Sequence, residues 1–302
     1  MELKPALTFE EQLDRLRTTH KLAIEDEQTA IRILSHVNYY RLSAYGIGLH
    51  KKENPEEYEE GVSLMGLYGL YRFDSGLRGE LFHLIEQVEV ELRTQIAYHL
   101  SPAFGPDGYM NPENFKKEID RDGNSRHTIL LKKFEKEAQR QGKLPFVRHH
   151  QEQYGGRFPI WVAVELFSFG MLTSLYSLMK AKDQKAVADF YAVEPQMLGS
   201  WMKTLMDVRN RCAHYGRIYN MPLSTTPSLF SEHDRYRGNR IFPVILVLRR
   251  LTAGTPGWTT FFNNLCALID ETPEVRLLFI GFPDEWYDVL NKPLMPGLDS
   301  RP

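Results

Sequence analysis

The stretch SLMGLYGLYRFDSGLRGELFHLIEQVEVELRTQIAYHL, Ser63 to Leu100, decides the fold. Leu77, Leu81, Leu84, Val88, Leu92 and Ile96 recur in it at steps of three and four, which aligns them on one stripe of a helix. Pro102, Gly105, Pro106 and Gly108 close the segment. Glu86, Glu89 and Arg93 make a polar face opposite the stripe, and the Glu89 to Arg93 spacing also suits a plain ion pair within one helix.

Outward from this helix the same spacing persists, and hardly any alternation of period two is sustained, so the fold class is all-α. Upstream, Phe9 to Thr18 and Thr29 to Tyr45 are expected as two shorter helices, followed by an exposed acidic stretch, KKENPEEYEE. Downstream the expected helices are Arg126 to Gln141, Pro159 to Lys180 and Pro195 to Tyr215, the last two with proline in the first turn. Gly216 is expected to stop the last of these. Beyond Asn220 a polar loop with SEHDRYRGNR leads to apolar segments at Ile241 to Leu251 and Trp258 to Ile269, then a short piece near Trp286. The expected organisation is a helical domain over residues 1–222 with a helical extension, 223–302, packed on it.

The 302 residues are 42% hydrophobic and 25% charged with a formal charge of −2, so the chain is globular and any polyanion site is local. The two cysteines, Cys212 and Cys266, exclude a disulfide framework or a four-thiolate zinc site and suit a reducing cytoplasm. The N-terminal residues have no apolar signal core, and the apolar run Phe158 to Met179 is broken by Glu165 and several hydroxyl residues, which reads as a buried core helix with no membrane association. Zinc-hydrolase, phosphate-loop, dinucleotide and nucleophile-elbow motifs are absent, and the neighbouring His149 and His150 point to different sides of a helix; no metal or cofactor is expected.

Chemistry concentrates in VRNRCAHY, Val208 to Tyr215. Leu198, Trp201, Leu205, Val208 and Cys212 share one side of that helix, and Arg209 falls within the apolar arc. A guanidinium there requires a carboxylate, a phosphate or a partly wet interface; Glu86 or Glu89 is a candidate partner. His214 lies about 140° round the helix from Arg209 and about 7.5 Å further along it, on the side of Lys203, Asp207 and Asn210. Asn210, one turn back, is placed to orient the imidazole. The plain alternative is a salt-bridged arginine beside a surface histidine. Between Lys203 and Arg250 nine Lys or Arg face three acidic residues, with Tyr215, Tyr219 and Tyr236 interleaved, a composition that suits phosphate contacts and base stacking as well as a solvated basic face.

Four blocks resemble the Abi-like family of abortive-infection proteins, of the AbiD and AbiF type, within the HEPN superfamily. They are LSHVNYYRLSAY (Leu34 to Tyr45), LYRFDSGLR (Leu70 to Arg78), IEQVEVELRTQIAYHL (Ile85 to Leu100) and RNRCAHYGRIYN (Arg209 to Asn220), and they stand in the family's order. Ala44 stands where the family often has glycine, and Tyr215 where histidine is common.

The resemblance implies a HEPN-like helical bundle and a metal-independent ribonuclease site formed between two copies of the chain. Arg209, Asn210 and His214 are then the expected catalytic residues, supported by Glu86, Glu89 and Arg93. Lys203, Arg211, Arg217, Tyr219, Arg235, Arg237 and Arg240 are the expected RNA-binding set. The expected partners are RNA, both as substrate and as a small regulatory or antitoxin RNA, and a second copy in a homodimer; the expected role is that of a phage-defence toxin. Two alternatives keep the helical shell without cleavage: a protein that holds a regulatory RNA, and a protein-binding phage sensor.

Overall fold

Short polar side chains start most of the early helices in the computed structural model, which describes residues 5–292. Thr8 opens α1 (Phe9–Thr18): its hydroxyl accepts from the Glu11 amide while the Glu11 carboxylate accepts from the Thr8 amide. Asp26 caps α2 (Glu27–His36) and Asn38 caps α3 (Tyr39–Ser43). The single helix expected over Thr29 to Tyr45 is thus two, because Val37 is extended and Asn38 starts a new turn. The following acidic stretch is mostly exposed, with Lys51, Glu57 and Glu59 partly covered, while Tyr58 is buried and stacks on His50 with ring centres 4.3 Å apart. Gly46 makes room for it, since a Cβ there would run into the Tyr58 ring.

Ser63 caps α4 (Leu64–Phe104), 41 residues and about 60 Å of helix. Every member of the leucine stripe is buried, and Pro102 sits in the last turn, where little helix remains to disrupt. Around this axis the chain adds α5 (Arg126–Arg140), α6 (Pro145–Gln153), α7 (Ile160–Leu166), α8 (Phe169–Leu178), α9 (Ala181–Phe190), α10 (Pro195–Ala213), α11 (Phe242–Leu251), α12 (Pro256–Asp270) and α13 (Trp286–Asn291). Among the described residues there is no β-strand, and the fold is all-α.

The central helix expected over Pro159 to Lys180 is also two. Phe167 is extended and the Ser168 hydroxyl accepts the Met171 amide at 3.2 Å, restarting the helix as α8. No helix of the described residues is long and apolar enough to cross a membrane. The helices α7, α9, α10 and α12 pack along α4, and α10 also lies against α8, α9 and α11. In the C-terminal region α11 is buried on nearly every side and α12 lies against α4; residues 293–302 of the expected extension lie outside the described residues.

Candidate functional site

The end of α10 meets the middle of α4, and two buried carboxylates on α4 organise the meeting. The first is Asp74, fully buried. Its Oδ2 accepts from the Tyr45 hydroxyl at 2.7 Å and from the Arg78 guanidinium one turn on. Its Oδ1 accepts the backbone amides of Ile218 at 3.0 Å and Tyr219 at 2.7 Å. One carboxylate therefore joins α4, the turn after α3 and the chain leaving α10. Burial and the neighbouring Asp74 charge push the Tyr45 phenol well above its ordinary range, so it remains a donor.

The second carboxylate is Glu89, which is buried, pairs with Arg93 on its own helix and lies 3.5 Å from Nε of Arg209. Of the two glutamates considered for Arg209, Glu89 is the one in contact; Glu86 is exposed and 3.8 Å from His83 Nδ1. Arg93 also donates to the Val164 carbonyl of α7, so the pair is held from a third helix. The Arg209 side chain keeps 35% exposure and lies over the Phe82 ring with its guanidinium carbon 5.5 Å from the centroid. It is anchored on one side and open on the other, with donors left over for an anion.

Helix α10 stops in a Schellman turn: the Gly216 amide donates to the Arg211 carbonyl at 2.8 Å and the Tyr215 amide to the Cys212 carbonyl at 3.1 Å. The left-handed position is Tyr215, with φ of 57°, rather than the glycine that the sequence offers next door. A tyrosine there is strained, and its ring is 70% exposed, so packing does not explain it. The turn is pinned from outside: Arg41 donates to the Tyr215 carbonyl at 2.9 Å, Arg217 donates to the Ala44 carbonyl, and Asn220 donates to the Ile47 carbonyl at 2.8 Å.

His214 caps this helix end and is exposed; its ring makes no hydrogen bond with any described residue. Asn210, expected to orient it, is exposed and instead accepts from Arg209 Nη1 at 3.5 Å. Beneath the turn, burial pushes the Cys212 thiol up to about 12, which keeps it a neutral packing group.

The basic set divides. Lys203 is exposed on α10. Arg211 donates to the Pro222 carbonyl at 3.1 Å, and Arg217 is half-buried above the Tyr45 ring. Arg235 pairs with Glu285 at 3.1 Å and Arg237 with Asp234 at 2.7 Å, so much of that loop's charge is answered within the chain. Arg240 has a buried Nη1 with no hydrogen-bond partner among the described residues. Tyr219 is a correction: it is fully buried, edge-on to Phe73 and Phe279, with its hydroxyl accepting the Arg276 amide at 3.0 Å, so it has no face to offer a base. Tyr45, Asp74 and Arg78 were missed as site-builders. The available sign was Asp74 itself, a carboxylate about 40° from Leu70 on the apolar side of the long helix, with arginine one turn on.

A family model described as "Abi-like protein" matches residues 32–220, a span that begins two residues before the block at Leu34 and ends on Asn220. No curated protein and no solved structure matches the chain.

Proposed function

The chain belongs to the Abi-like protein family, a membership that points to abortive infection and phage resistance, and from that premise we propose that it is an RNA-cleaving HEPN-type toxin whose site is completed by a second copy. The observation that carries this reading is the pairing of an anchored, half-open Arg209 with an exposed, unengaged His214 at a strained helix end. Strain of this kind persists where surrounding contacts impose it, and here Arg41 and Asp74 do so.

The chemistry follows from what each group can do. A neutral His214 takes the proton from a ribose 2′-hydroxyl, and the oxygen attacks the adjacent phosphorus. The protonated His214 of the second copy gives its proton to the departing 5′-oxygen, and the two Arg209 guanidiniums neutralise the crowded phosphate. The products are a 2′,3′-cyclic phosphate and a 5′-hydroxyl. Two-fold symmetry supplies base and acid from one residue type. Val90 and Tyr215, 57% and 70% exposed, border Glu89 and His214 and give a second copy apolar surface to cover.

The experiment is cleavage of RNA by the purified chain in EDTA. Arg209→Ala and His214→Ala are expected to abolish cutting while the helical circular-dichroism spectrum is retained; cutting that survives both changes overturns the reading.

A further inference from the structure

The chain forms an open cleft of about 690 Å³ between Pro106 and Asp107, just after α4, and the turn joining α6 to α7. That volume is in the range of small-ligand sites, roughly 300–1,000 Å³. Its wall is aromatic. The His150 ring stacks on Phe158 with centres 5.3 Å apart and planes 16° from parallel, and Tyr154 lies against His150 at 5.3 Å. Trp161, at the start of α7, lines the same cleft and is 54% exposed, as Tyr154 is 56% exposed. Leaving two large rings wet around one concavity forgoes the burial that aromatic side chains ordinarily gain.

The polar groups are equally specific. His150 Nδ1 is 2.8 Å from the Phe146 carbonyl, which can only accept, so Nδ1 donates to it and Nε2 is the ring nitrogen left over from that bond. Gln153 adds an amide with both donor and acceptor. Arg157 pairs with Asp107 through one nitrogen, and its side chain remains 75% exposed, leaving further donors. The turn that carries these groups is set by Gly155 and Gly156, whose φ values of 61° and 77° suit glycine. Flat apolar faces, an amide and a carboxylate–guanidinium pair are what a nucleobase matches: a planar π surface whose edge both donates and accepts.

We infer that this cleft is a nucleotide-binding site, separate from Arg209 and His214, which stacks a nucleobase on the Trp161 and Tyr154 side of the wall and offers Arg157 to its phosphate. The ligand is a free mononucleotide or one nucleotide of an RNA strand, and the test separates the two sources. It does not depend on the cleavage reading.

The full chain is titrated with AMP, with a short single-stranded RNA and with ribose 5-phosphate, while tryptophan fluorescence is followed in the wild type and in Trp161→Phe and affinity is measured by calorimetry. Quenching by AMP that is absent from Trp161→Phe assigns the free nucleotide; quenching by RNA alone assigns the strand. Tyr154→Ala and Trp161→Ala, both at exposed positions, are expected to weaken binding tenfold or more. Absence of any Trp161-dependent signal, ribose 5-phosphate binding as tightly as AMP, or full affinity in both alanine variants overturns the proposal.

Discussion

The Tyr219 amide donates to Asp74 Oδ1 at 2.7 Å, across 145 positions of sequence. Together with the Ile218 amide, the Tyr45 hydroxyl and Arg78, it surrounds a carboxylate that has no contact with solvent. Removing a buried carboxylate strands its arginine and two amides. Asp74→Ala is therefore expected to cost about 3–5 kcal/mol, read as a lower urea midpoint. A loss under about 1 kcal/mol contradicts the role given to Asp74.

Tyr215 holds a left-handed backbone that glycine adopts without penalty. Its ring is mostly exposed, so little packing is forfeited when it is removed. Tyr215→Gly is expected to raise stability by up to about 1 kcal/mol in the same urea titration. If the strain also serves the placement of His214, RNA cleavage falls in the same variant. A variant less stable than the wild type counts against strain at this position.

A composite site makes a specific demand on mixed dimers. When wild-type and His214→Ala chains are co-expressed in equal amounts, about a quarter of dimers carry both histidines. Cleavage is then expected to fall to about a quarter of the all-wild-type rate, rather than to about half as for independent subunits. The measurement is cutting rate against the wild-type fraction: a parabola supports the shared site and a straight line removes it.

The buried phenols and thiol set the alkaline limit of stability. Burial is the main cause that pushes Tyr58 and Cys212 up to about 12, and Tyr109, Tyr176 and Tyr45 are raised for the same leading reason. An unfolded chain gives up these protons from about pH 9 to 10, while the folded chain keeps them. The folded state binds more protons in that window, so stability falls as pH rises. Urea unfolding is expected to show a plateau below about pH 9 and a steady decline towards pH 12, with a further rise in phenolate absorbance when unfolding releases the buried tyrosines. A free energy flat across that interval contradicts it.

Much of the fold was legible because α4 and α10 are amphipathic in the ordinary way: Leu77, Leu81 and Leu84 on one, Leu198, Leu205 and Val208 on the other, are buried where their spacing puts them. The break at Ser168 was hidden because the apolar residues of the run continue on both sides of it and its polar residues are scattered, so no change of face marks it; only the hydroxyl capping Met171 does. At the site, the demand of Arg209 for a carboxylate was readable from its place in an apolar arc, and Glu89 meets it. The turn that presents His214 was not. Gly216 drew attention as the helix stop, while tertiary bonds from Arg41 and Asp74 force the left-handed turn onto Tyr215. Such bonds join residues far apart in the chain and leave no periodicity to detect. Tyr219 went astray for the opposite reason: a tyrosine among arginines resembles a stacking platform until its burial is known.

The bonds to Asp74 also order events during synthesis. A chain still emerging from the ribosome, with Ile218 and Tyr219 in the exit tunnel, has Tyr45 and Arg78 available but lacks the two amides that complete the carboxylate's shell. The helix end bearing His214 then lacks its Asp74 anchor, and it reaches its native position only once the chain has grown past Tyr219.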